Sequence, residues 1–182
     1  EVLPGIFLAP IPIPIPLRYV NCYLMRGASG WTIVDAGYSN EMAYDAWRRT
    51  FAELGIRPQD VDQILVTHYH PDHLGAAGWL QQLTGADAYL HEREFPLYEH
   101  FRNAETRLLD DRMPAMFAEE GMDEETAAAI RQLNQSQLQV VRPLPELKPV
   151  PTGSKIRLGE GSYEVIFTPG HTDGLAVFWD AR

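Results

Sequence analysis

One cysteine, Cys22, stands in the whole chain, so an internal disulfide is excluded and a reducing compartment fits. Lysine is almost missing: Lys148 and Lys155 are the two present. The basic side is carried by arginine, whose planar fork suits carboxylates, and no arginine cluster marks an anion site. Acidic residues outnumber basic ones by 25 to 15, for a formal charge of −10. Binding to nucleic acid or to an anionic membrane is driven by Lys and Arg, so neither is expected as a partner; a bound cation is not excluded. No apolar run reaches about 18 residues before a proline or a charge breaks it, so no membrane span is expected. Glu1–Gly5 shows neither a basic leader nor an apolar stretch. No signal peptide is therefore expected, and the expected location is cytoplasmic. No internal repeat or low-complexity tract is present.

The chain has 182 residues, 45% hydrophobic and 22% charged. That composition is globular, and the length suffices for one core. A single domain over residues 1–182 is expected.

Residues 1–36 read as strands. Ile11, Ile13 and Ile15 alternate with Pro10, Pro12, Pro14 and Pro16. In an extended chain this leaves one edge without N–H donors, the pattern of a protected edge strand or a polyproline-like arm; a plain loop fits equally. Strands are expected at Tyr19–Met25 and Trp31–Val34. A helix is expected over 41–54, with Met42, Ala46, Trp47, Phe51 and Leu54 on one face and Gly55 as its stop. Val61–Thr67 reads as a strand, Asp72–Leu83 as a helix, and Ala86–His91 as a strand. Residues 92–140 favour helix, with Leu108, Leu109, Met113, Met116, Phe117, Met122, Ala129, Ile130 and Leu133 at spacings that fit packing or a lid. Residues 142–151 are proline-rich and read as a connector. A hairpin about Gly159-Glu160-Gly161 and a strand at Leu175–Trp179 close the chain.

The chemistry concentrates in Thr67-His68-Tyr69-His70-Pro71-Asp72-His73. His68 and His70 are two apart, so in an extended segment their side chains leave on the same side and can grip one ion. Pro71 biases His70 toward that extended conformation. Asp72 and His73 turn onto the following helix, where they can face a second ion. Zinc accepts such imidazole and carboxylate ligands. A second segment, Thr168-Pro169-Gly170-His171-Thr172, presents His171 at another strand end, where it can complete a three-histidine set. Asp72 can also serve as a helix N-cap. Asp35 reads as a turn-former or a supporting group, with the structural role favoured. His91 and His100 read as solvated surface histidines, and Cys22 as a small buried hydrophobe.

These segments resemble the metallo-β-lactamase superfamily, whose metal motif is H-x-H-x-D-H followed by a later histidine, often in a T-P-G-H-T turn. Val20-Asn21-Cys22-Tyr23-Leu24 and Ile33-Val34-Asp35-Ala36-Gly37 are similar to its opening strands. The resemblance implies an α/β fold, the αββα sandwich, here with a helical insertion at about 92–140. It implies that His68, His70 and His171 hold a first metal, that Asp72 and His73 serve a second, and that Asp72 also acts in catalysis. The flavodiiron branch carries Glu where this chain has His70, so a hydrolytic zinc-type centre is the better match. One or two zinc ions are expected, with iron or manganese as alternatives.

The family's bridging Asp and last His lie beyond the third histidine, and Asp180 does not sit in the expected G-D turn. The sandwich is therefore expected to be incomplete in its C-terminal half, with chain missing after Arg182. The implied activity is attack of a zinc-generated hydroxide on an ester, thioester, lactone or amide carbonyl of a small-molecule substrate, nearer to glyoxalase II relatives than to β-lactam hydrolysis. The alternatives are a mononuclear iron, persulfide dioxygenase-like enzyme and a non-catalytic, truncated metal-binding module. The Met-bearing helical segment is a candidate substrate cap or homodimer contact.

Overall fold

The computed structural model describes residues 1–102, 112–137 and 141–180. Strands β1 (Ile6–Pro12), β2 (Tyr19–Arg26) and β3 (Trp31–Val34) pair antiparallel in succession. Strands β4 (Val61–Val66), β5 (Asp87–His91) and β6 (Leu147–Val150) then add in parallel. The resulting six-stranded sheet has the order β1-β2-β3-β4-β5-β6. A second sheet is antiparallel, β7 (Lys155–Leu158), β8 (Gly161–Phe167) and β9 (Ala176–Trp179). Its first hairpin turns about Gly159 and Glu160, as the glycines predict.

β1 is an edge strand, and its prolines explain how. The Ile13 N–H donates to the Arg18 carbonyl at 2.8 Å, and Ile11 sits opposite Val20. By alternation, Pro10 and Pro12 then face the free edge, which they leave without donors. The strand stops at Pro12, short of the full isoleucine–proline run. The chain turns back through residues 13–18, with Arg18 at φ 70 and its N–H on the Ile15 carbonyl. Ile11 is consequently buried and Ile15 is half exposed, at 0% and 50%.

Helix α1 (Glu41–Leu54) has the predicted bounds. Asn40 caps it by accepting from the Ala43 N–H, and Gly55 closes it at φ 66. Trp47 is fully buried, and its indole N–H donates to the Ala36 carbonyl at 2.7 Å. The next helix differs from expectation. It is split into α2 (Pro71–Leu74) and α3 (Ala77–Thr84). The cause is a pair of diverted backbone bonds: Ala36 N–H donates to the His73 carbonyl, and Ala76 N–H to the Gly37 carbonyl. Both groups would otherwise belong to the helix ladder. Gly75 permits the approach, since a Cβ there would lie 2.8 Å from the Ser39 nitrogen and 3.0 Å from the Gly37 oxygen.

Helices α4 (Phe95–Arg102), α5 (Arg112–Glu119) and α6 (Glu124–Gln137) occupy the chain between β5 and β6. Tyr98 is buried and donates to the Pro145 carbonyl at 2.5 Å, while Met116 and Phe117 stay exposed. Leu108 and Leu109 fall outside the described residues, as do the side chains of His100, Met113 and Leu133. The expected connector at 142–151 is corrected: it contains β6. As the far edge strand, β6 can carry Pro149 because its free side needs no donor.

Two apolar layers result. One lies between the six-stranded sheet and α1–α3, built on Ile11, Ile33, Ile64, Val66, Trp47, Leu74 and Leu80. The other lies between the sheets, built on Met25, Leu65, Val150, Leu158, Val165 and Ala176. β4 supplies both layers, so its apolar run is continuous, as a parallel strand covered on two faces requires. This is the α/β sandwich expected, with helices on one face of the large sheet and the smaller sheet on the other. No described helix is long and apolar enough to cross a membrane.

The two isoleucines of the opening repeat give a direct test. Ile11→Ala should cost about 2–5 kcal/mol, and Ile15→Ala should stay within about 0.5 kcal/mol, both measured by urea unfolding.

Candidate metal centre

The parallel strands β3, β4 and β5 all end at one rim, and each delivers polar groups there. Ligand sites in α/β sheets form at these carboxyl ends. β3 delivers Asp35, β4 delivers the loop Thr67–His70, and β5 is followed by a 3-10 turn, Glu92–Glu94. The smaller sheet contributes the loop between β8 and β9, which carries His171. The Ala176 N–H on the Thr67 carbonyl, at 3.0 Å, ties that loop to the end of β4.

His68, His70 and His171 come together, with one ring nitrogen from each inside a span of 4.8 Å. His70 Nδ1 and His171 Nε2 are 3.0 Å apart. Nitrogens bound tetrahedrally at about 2.0–2.1 Å from zinc stand about 3.3 Å from one another, so the set is close to the spacing one ion needs. His68 is buried, His70 half-buried and His171 exposed, which leaves the group open on one side.

The tautomer of His68 follows from its neighbours. The Asp35 carboxylate accepts from the Thr67 N–H at 2.8 Å and from the Thr67 hydroxyl at 3.0 Å. With its one proton committed, Thr67 Oγ1 accepts from His68 Nδ1–H at 3.0 Å. The lone pair of His68 therefore lies on Nε2, a buried atom with no hydrogen-bond partner among the described residues. An orphaned buried acceptor costs about 1–3 kcal/mol, and a cation at that point restores its partner.

Asp35 also accepts from His73 Nδ1–H at 2.8 Å, which directs His73 Nε2 toward Asp72, 3.5 Å away. Asp35 is therefore a supporting group as well as a turn residue. It is buried, it sits at φ 61, and it orients two histidines at once. The reading that favoured a purely structural Asp35 is corrected accordingly. The N-cap alternative for Asp72 is not what the structure shows: the cap position of α2 is His70, and no side chain makes a capping bond. Cys22 is buried below, and burial, with the charges of Asp35 and Asp72 adding, pushes its thiol pKa well up.

His91 is a second correction. It is buried, not solvated. Its Nε2 meets the Thr152 hydroxyl at 2.8 Å, and its ring stacks on Phe167 with 5.9 Å between centroids. The sequence reading passed over Glu94, which is fully buried and touches the loops on both sides of the centre. A Glu three residues after a strand end, in the charged run Glu92-Arg93-Glu94, resembles any surface carboxylate, so no local pattern singles it out.

Burial lowers the His68 pKa to about 3, helped by repulsion from His73, His70 and His171. His70 is lowered by burial and by His171. For His73 burial works against the proton, but the bond and charge of Asp35, with Asp72, outweigh it and raise the pKa. Unfolded His68 takes a proton near pH 6.5, whereas the folded group stays neutral until about 3. Between these values the unfolded state binds more protons, so stability falls as pH drops. His73 acts with the opposite sign: its stabilisation is full below about pH 6.5 and fades as pH rises through its raised folded value. The melting temperature of metal-free protein should fall from pH 6.5 to pH 4, and His68→Gln should flatten that slope.

Comparison with known proteins bears on this geometry. The family model described as metallo-beta-lactamase superfamily matches residues 15–182. A crystal structure of the metallo-beta-lactamase family protein TTHA1429 from Thermus thermophilus superimposes with a TM-score of 0.82 at 37% identity, covering 98% of this chain and 56% of that one. The exodeoxyribonuclease WalJ of Streptococcus pneumoniae is 31% identical over 80 residues, 44% of this chain and 28% of that protein. The probable metallo-hydrolase YqjP of Bacillus subtilis is 32% identical over 65 residues, 36% of this chain and 20% of that protein. The chain thus spans about half the length of the structural relative and less of the other two.

Proposed function

The chain belongs to the metallo-beta-lactamase superfamily, and on that premise we propose a metal-dependent hydrolase centre in which His68, His70 and His171 hold one divalent ion. Asp72 and His73 begin a second site beside it. The observation that carries this reading is His68 Nε2: a buried lone pair, set by the Asp35–Thr67 relay, with no partner among the described residues. The apposed nitrogens of His70 and His171 support it, since both become acceptors toward a shared cation. The donor set is three imidazoles, and zinc is the metal such a set favours, with one position left open. A divalent ion held there supplies Lewis acidity, drawing the pKa of water toward about 7 and polarising a carbonyl.

The remaining work falls to the chain's own residues. Asp35 and Thr67 keep the His68 lone pair aimed at the centre and exclude the wrong tautomer. Asp35 also turns His73 Nε2 outward, toward the partly exposed carboxylate of Asp72. In this reading Asp72 orients an attacking water and accepts its proton on the carboxylate. The substrate class we propose is a small ester, thioester, lactone or amide. The charge of −10 supports it, because a polyanion would meet net repulsion. A phosphodiester reading is favoured by one observation, the name of the exodeoxyribonuclease relative; assays on single-stranded DNA and on a thioester separate the two.

The combined variant His68→Ala, His70→Ala should lose bound zinc, read as metal content after dialysis, together with any thioester or lactone hydrolysis. Full metal content or retained hydrolysis in that variant would overturn the proposal.

A further inference from the structure

Glu94 is fully buried, and both of its oxygens are engaged by backbone donors from different sheets. Oε2 accepts the Tyr69 N–H at 2.8 Å, from the residue between His68 and His70. Oε1 accepts the Gly174 N–H at 2.6 Å, three residues beyond His171. Gly174 makes the second contact feasible. A Cβ there would lie 2.8 Å from Arg93 Cβ and 2.9 Å from both Glu94 N and Glu94 Oε1, so any side chain would push the loop away.

We infer that Glu94 is a positioning residue, a carboxylate clamp that sets the spacing of the His68–His70 loop against the His171 loop before any ion arrives. The reasoning is chemical. Two N–H groups converge on one side chain, and only an acceptor with two free oxygens satisfies both. A glutamine would satisfy one and oppose the other, donor to donor. The clamp matters because the three histidines come from two sheets. His68 and His70 follow β4 of the large sheet, and His171 follows β8 of the small one. The Ala176 N–H on the Thr67 carbonyl already joins these loops at the end of β4; Glu94 adds two further bonds, and without them more of the work of drawing His171 to within 3.0 Å of His70 would fall to metal-binding energy. The inference rests on the three-histidine centre being a metal site. It adds a residue that touches neither metal nor substrate and acts through the two loops.

The test uses the 182-residue chain and cobalt(II), whose visible absorption reports ligand geometry, with zinc competition for affinity. Glu94→Gln should weaken cobalt and zinc binding by at least tenfold and alter the cobalt absorption bands. The nearby exposed Glu92→Gln should leave both unchanged. A Glu94→Gln protein with wild-type affinity and spectrum would overturn the clamp, whatever its melting temperature. Failure of the unaltered chain to bind either metal would instead refute the metal centre itself. Should Glu94→Gln not fold, hydrogen exchange on the unaltered chain decides. The clamp requires the Tyr69 and Gly174 amides to be protected, and to open together, in the absence of metal. Exchange of either at the rate of a free loop would overturn it.

Discussion

The carboxylate of Asp35 is the group on which the centre depends. It ends β3 in a left-handed conformation, buried, and three donors converge on it: the N–H and O–H of Thr67 and the Nδ1–H of His73. Each bond has a consequence away from Asp35. The Thr67 bonds fix which nitrogen of His68 is left as a lone pair. The His73 bond turns that ring so that its free nitrogen meets Asp72. Charge-assisted bonds of this kind are shorter and stronger than neutral ones, and here they link the end of β3 to the end of β4 and to α2.

The backbone repeats the same connection. Ala36 and Gly37, directly after Asp35, take one N–H and one carbonyl into bonds with His73 and Ala76. Those bonds break the helix into α2 and α3, and they hold the first turn, with Asp72 and His73, against the end of β3. A continuous helix would have kept its ladder intact and left that turn unanchored. Local helical regularity is given up where the site is assembled, as expected for a segment under functional constraint.

Much of the fold was legible in the sequence because the relevant signals are local. Helix α1 has its C-terminal stop, Gly55, written in after an apolar face, whereas its Asn40 cap became visible in the structure. The proline alternation correctly marked a protected edge. The strands and the second hairpin followed from β-rich runs between glycines. The misses share a cause. β6 was hidden because Pro149 argues against a strand unless the strand is known to lie at an edge. The split after Leu74 depends on bonds to residues nearly forty positions earlier. His91 looked solvated among charged neighbours, yet Thr152 and Phe167, far along the chain, enclose it.

The candidate site divides in the same way. Which side chains are available is local information: the H-x-H-x-D-H run, the T-P-G-H-T turn, and two strand ends to carry them. Residue type and short spacing decide that much, since zinc accepts imidazole and carboxylate ligands and an extended segment puts alternate residues on one side. Which nitrogen of His68 is free, how near His171 comes to His70, that Asp35 serves two histidines and that Glu94 reaches both loops are settled by contacts across the fold. Each of those depends on hydrogen bonds between residues distant in the chain. Such bonds form because the strands end at a common rim, and no local pattern records where strands end relative to one another.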